Sequence, residues 1–134
     1  MTKTDAKQLL HRLFAALADP ATSLEELAGF FTSDYVQIVD GETLNLAGFL
    51  DHAATLRCTL DAVDVDFENI VASDNTIADI HIVTAHKKDG SQITIKVIAF
   101  YTLRDGKISR IEELTHLISG STADRDIGSR IDRA

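Results

Sequence analysis

The sequence predicts an α+β domain, a curved antiparallel sheet whose concave face is closed by three N-terminal helices. Apolar residues recur at helical spacing up to Thr59 and at a period of two from about Ala62 to Ile118. The chain has 134 residues, enough for one domain with a core that needs neither metal nor disulfide staples.

The first helix is carried by Ala6, Leu9, Leu10, Leu13 and Leu17, with Phe14 widening the stripe, over Asp5 to Ala18. Asp19-Pro20 ends it. Ser23 caps a second helix from Leu24 to Phe31, with Glu25 and Glu26 set against the positive end of its dipole. Asp34 to Asp40 reads as a strand, and Gly41 turns the chain. Asn45 caps a third helix, Leu46 to Thr59, whose buried stripe is Leu46, Phe49, Leu50, Ala53 and Leu56. Four strands follow near Ala62–Ala72, Thr76–His86, Gln92–Leu103 and Lys107–Ile118, joined by Ser73-Asp74-Asn75, Asp89-Gly90 and Asp105-Gly106. The domain thus covers residues 1–118. Residues 119–134 lose the periodicity and mix both charge signs, so they read as a tail, either mobile or laid on a partner subunit.

Composition removes several classes of function. A net charge of −8 with no basic cluster disfavours nucleic acid and anionic lipid as partners. No apolar run approaches the ~18 residues of a membrane span, and the N-terminus lacks a signal core, which makes the cytoplasm the expected location. Cys58 is the single cysteine, so it forms no internal disulfide and no cysteine metal cluster.

The hairpin Val97–Leu117 carries most of the chemical information. Strand parity puts Ser109, Ile111, Glu113, Thr115 and Leu117 on one face, and Ile108, Arg110, Glu112, Leu114, His116 and Ile118 on the other. A bulged loop at Asp105-Gly106 brings Val97, Ala99, Tyr101 and Leu103 onto the Glu113 face; a plain two-residue turn brings Ile98 and Phe100 there instead. The opposite face mixes Ile108, Leu114 and Ile118 with Arg110, Glu112 and His116, a blend that suits a homodimer interface.

With FFTSDYVQIVDG early and FYTLRDGKISRIEEL late, the helix, helix, strand, helix and meander order resembles the nuclear transport factor 2-like superfamily, over roughly Asp5 to Ile118. That superfamily includes SnoaL-like polyketide cyclases and ketosteroid isomerases. The resemblance implies a cone-shaped dimeric domain with a ligand cavity between sheet and helices. It also implies that the Glu113 face points inward. The isomerases' oxyanion tyrosine, general base and neutral acid fall on Leu13, Val39 and Ala99, all apolar here, which argues against isomerase chemistry of that type. Asp40 is one step from Val39 and takes over the base role only across a bulge. The SnoaL-like cyclases place their acid/base carboxylate shortly after the GKI turn, where this chain has Glu113, a glutamate in place of an aspartate.

Two readings of Glu113 stay open: an acid/base group whose pKa is raised by desolvation, or a rim carboxylate that pairs with a cation or hydroxyl. Tyr101 is either its hydrogen-bonding partner or a satisfied core tyrosine. His52, at the edge of the third helix's stripe, is either an assisting base at the cavity mouth or a half-buried side chain. Tyr35, Val39, Leu13, Phe49, Val97, Ala99, Ile111 and Thr115 are the remaining candidate ligand contacts. His81 and His86 fall on opposite faces, which disfavours a metal site, while Asp79/His81 and Glu112/His116 read as surface pairs. The function expected is therefore a pocket for a small apolar carbonyl compound. It serves cofactor-independent cyclase, isomerase or hydratase chemistry by acid/base proton transfer, or else the domain is a non-catalytic small-ligand-binding or dimeric interaction module, with no cofactor and no metal.

Overall fold

The computed structural model describes residues 1–124 and 127. Along the chain run α1 (Lys3–Ala18), α2 (Leu24–Ala28), β1 (Phe31–Val39), β2 (Glu42–Asn45), α3 (Leu46–Thr59), β3 (Leu60–Ser73), β4 (Thr76–Lys87), β5 (Gln92–Arg104) and β6 (Lys107–Ser119), followed by a 3-10 turn at Thr122–Asp124. Each helix starts on a side-chain cap. Thr2 and Asp5 form a reciprocal capping box, Ser23 accepts from the Glu26 amide at 3.0 Å, and Asn45 accepts from the Gly48 amide at 2.8 Å. The second helix stops at Ala28, short of Phe31, because Gly29 closes it and Phe31 already pairs with Ile108 in the sheet.

The strand order is β2-β1-β6-β5-β4-β3. The meander from β3 to β6 is antiparallel as expected, but β1 lies parallel to β6, so the six-stranded sheet is mixed. Strand β2 is an addition to the sequence reading. It returns along β1 through Asp40-Gly41, at φ 51° and 85°, and the same Asp-Gly chemistry recurs at Asp105-Gly106, at φ 53° and 79°. Both residues of such a turn sit in the left-handed region, which Asp tolerates and Gly adopts without a Cβ penalty.

Bulges curve the sheet and correct one face assignment. Arg104 pairs with Lys107 across a two-residue turn and Leu103 with Ile108, yet Thr102 pairs with Arg110, so Ser109 is an extra residue. Its hydroxyl donates to the Thr102 carbonyl at 3.1 Å. The bulge breaks strict alternation, and Ile108, assigned by parity to the outer face, is fully buried inside with Ile111. Beyond it the register sets Tyr101 opposite Ile111, Ala99 opposite Glu113 and Val97 opposite Thr115. Every second residue of β5 from Ile93 to Leu103 is thereby buried under the helices.

The convex face keeps Ile98, Phe100, Leu114 and Ile118 exposed, and Ile98 lies directly across from Leu114. Beyond Ser119, Asp124 is buried and receives the Lys87 ammonium at 3.3 Å, while Ile127 packs into the core. Residues 125, 126 and 128–134 of the segment read as a tail lie outside the described residues. Cys58 is an exposed free thiol. Among the described residues, no helix is long and apolar enough to cross a membrane.

Candidate functional site

Between the sheet and the helices lies a mostly apolar cavity of about 130 Å³. Leu13, Phe14 and Leu17 of α1 and Phe49, His52 and Leu56 of α3 form one wall, and Val97, Ile111, Glu113 and Thr115 the facing one, with His81, Val83 and Gln37 beside them. Of the residues anticipated from sequence, Glu113, His52, Leu13, Phe49, Val97, Ile111 and Thr115 line this space. Tyr35, Val39, Ala99 and Tyr101 do not; they are buried in the layer behind the wall.

Glu113 is half-buried and lines the cavity. Its carboxyl is pushed up from 4.5 to about 7, chiefly because burial penalises the charged form. The nearby His81 works against that rise, and the negative charges of Asp79 and Asp40 add to it. The backbone around Glu113 is clamped by the Asp40 turn. The Asp40 amide donates to the Glu113 carbonyl at 3.0 Å, and the Asp40 carboxylate accepts from both the amide (2.8 Å) and the hydroxyl of Thr115. This carboxylate is therefore engaged at the strand end, and Asp40 is not among the residues that line the cavity.

A second buried carboxylate sits two strands away. Asp79 and His81 share the concave face of β4 and are 3% and 1% exposed, with Nδ1 of His81 at 2.6 Å from Oδ2 of Asp79. The imidazole packs against Phe14 at 5.0 Å and Phe67 at 5.6 Å between ring centres. The other Asp79 oxygen and the Tyr101 hydroxyl are both buried on this side of the sheet, beside each other. Burial and then the Asp79 charge push the Tyr101 phenol well up. Cross-strand pairing sets Asp79, Ala99 and Glu113 in one row, so only a methyl side chain separates the two carboxylates along the sheet. Tyr35 donates its hydroxyl to Oε1 of Gln37 at 2.8 Å, and it is Gln37 that reaches the wall.

The SnoaL-like domain pattern matches this chain over residues 10–111, about three quarters of its length. The chain belongs to the SnoaL-like family. It is 44% identical to an uncharacterised protein of Schizosaccharomyces pombe over 125 residues, which covers 93% of this chain and 96% of the relative. In structure it is similar to AclR of Streptomyces galilaeus, a candidate hydroxylase, with a TM-score of 0.73, 14% identity and coverage of 98% and 89% of the two chains. A candidate SnoaL-like polyketide cyclase from Jannaschia sp. CCS1 superposes with a TM-score of 0.69 at 15% identity, covering 85% and 87%. At such identities the likeness is one of fold.

Within this SnoaL-like domain, sequence reasoning misses Asp79 and His81 as interior residues. Strand β4 alternates Ile77, Asp79, His81 and Val83 with Ala78, Ile80 and Ile82, so either face looks apolar enough to be the inner one. The usable signal is the partner strand, where Ile93, Ile95 and Val97 fix the inner face and pair with Ala85, Val83 and His81. Arg57 is a second omission. It lines the cavity mouth and donates to the carbonyls of Ala16 (2.7 Å), Leu17 (3.1 Å) and Thr22 (2.8 Å), capping the C-terminal end of α1 from a neighbouring helix. Among the described residues, no set of three His, Cys, Asp or Glu side chains is placed to hold a metal ion.

Proposed function

We propose that this SnoaL-like protein binds a small, mostly apolar carbonyl compound and catalyses proton transfer on it without a cofactor. Glu113 is the acid/base residue. The observation that carries this is a carboxyl group held near neutrality on the wall of an apolar cavity, where its protonated form can donate to a carbonyl oxygen and the resulting carboxylate can take the proton back. His52 shares the wall as the assisting group; Tyr101 supports the wall from behind. The cavity is close in size to a ~150 Å³ cavity that takes up benzene. Cyclohexanone is therefore a suitable probe. Wild-type protein in D₂O should accelerate exchange of its α-protons, followed by NMR, with a rate that falls as pH rises past about 7, and Glu113→Gln should abolish the acceleration. Binding of the ketone with no exchange would favour a carrier, a reading supported by the apolar residues Leu13, Val39 and Ala99 at the isomerase positions.

The exposed strip Ile98, Phe100, Leu114 and Ile118 supports a homodimer through the convex face. In such a dimer the partner would lie on the side of the sheet opposite the cavity.

A further inference from the structure

We propose that His81 is the base that faces Glu113 across the cavity, acting on a small uncharged carbonyl compound, and that Asp79 is its positioning residue. This rests on the reading of Glu113 as the acid.

Three features of the dyad point the same way. First, His81 is at once buried and part of the cavity wall, and its Nδ1 is committed to Asp79 at 2.6 Å. An aspartate on Nδ1 fixes the proton there and leaves Nε2, with its lone pair, as the nitrogen for a ligand. Second, Asp79 is held from its other side as well: the Tyr101 hydroxyl is buried beside its carboxylate and interacts with it, which keeps the carboxylate in place against His81. Third, the register places the two proton carriers apart rather than together. His81 is opposite Val97, which is opposite Thr115, and Glu113 is two residues from Thr115. Two inter-strand steps of ~4.8 Å separate their strands by roughly 10 Å, and Val97, on the intervening strand, lines the cavity between them.

A ketone between them reacts as follows. Nε2 takes a proton from the carbon next to the carbonyl, the C–H electron pair becomes a carbon–carbon double bond, and the carbonyl π pair moves to oxygen. That oxygen takes the Glu113 proton. The product is the enol, and return of a proton to either end of the new system gives exchange or isomerisation with no other reactant. The buried Asp79 carboxylate behind His81 disfavours an anionic substrate.

Two measurements test this. In long-range ¹H–¹⁵N spectra of wild-type protein at pH 8, His81 should carry its proton on Nδ1, and Asp79→Asn should abolish that preference. With cyclohexanone in D₂O, His81→Gln and Asp79→Asn should each slow exchange at saturating ketone on the order of 100-fold or more. The half-saturating concentration should change little. A wild-type His81 protonated on Nε2 overturns the proposal. So does exchange that requires Glu113 yet survives both Asp79→Asn and His81→Gln, and in that case Glu113 keeps its role. Absence of exchange by the wild-type protein removes the Glu113 reading and the dyad's role with it. Should His81→Gln fail to fold, Asp79→Asn and the wild-type tautomer decide the matter.

Discussion

Glu113 ties the site to the stability of the fold, and the sign of that link is testable. Its ordinary value is 4.5 and its folded value about 7, so the folded protein binds this proton more tightly than the unfolded chain. The stabilisation is complete below the unfolded value and is lost as pH rises from about 4.5 to 7, after which it stays lost. The full shift corresponds to roughly 3 kcal/mol, and the partial access of Glu113 to the cavity reduces it to about 1–3 kcal/mol. Glu113→Gln replaces the acid with a neutral group of the same shape. Urea unfolding should therefore show the variant about 1–3 kcal/mol more stable than wild type at pH 8, and nearly equal to it at pH 4.5. Groups common to both proteins cancel in that difference. A variant less stable than wild type at pH 8 would show that the carboxylate is paired rather than penalised.

At the scale of elements, Arg57 joins α3 to the end of α1, which has no basic residue in its own last turn. Arg57→Ala should cost about 2–4 kcal/mol, since three charge-assisted hydrogen bonds go and carbonyls are left without their donor. Hydrogen exchange should rise most in the last turn of α1. Arg57→Lys should recover only part, because an ammonium does not reproduce the forked geometry. Legibility from sequence follows the same division between local and long-range causes. The third helix is read with its observed bounds, Leu46–Thr59, because its cap and stripe are local. Strand β2 is missed because four residues ending in a helix cap show no usable alternation. The position of Ile108 is missed because a bulge at Ser109 shifts parity without changing composition. The wall residues Leu13, Phe49, Val97, Ile111, Glu113 and Thr115 were accessible from pattern and resemblance. Asp79 and His81 were not, because their face is decided by pairing with β5. Deleting Ser109 should therefore cost more than an ordinary loop change. It forces either Ile108 or the Ile111–Glu113–Thr115 face outward, and loss of several kcal/mol in urea unfolding is the expected outcome.

For the whole molecule, the sheet separates two surfaces that neighbouring residues of β6 serve in opposite directions. Glu113 faces the cavity, whereas Leu114 stands 66% exposed on the convex side, opposite Ile98 in the register. A dimer formed there buries the apolar strip without reaching the site, and it must overcome the repulsion of two chains of net charge −8. Two consequences follow from that balance. Added salt should tighten association, because repulsion over more than a Debye length, about 10 Å at 0.1 M, is screened while apolar burial is retained. Leu114→Asp should give a monomer by sedimentation at micromolar concentration, since it places a charge in the strip and adds to the repulsion. The side chain is solvent-exposed in the single chain, so the variant's unfolding midpoint should shift only to the extent that dimerisation stabilises wild type. Exchange of cyclohexanone protons per chain should persist in that monomer. A wild-type protein that sediments as a monomer in both low and high salt would overturn the dimer, and a monomeric variant that loses exchange would show that the convex face and the cavity are coupled through the sheet.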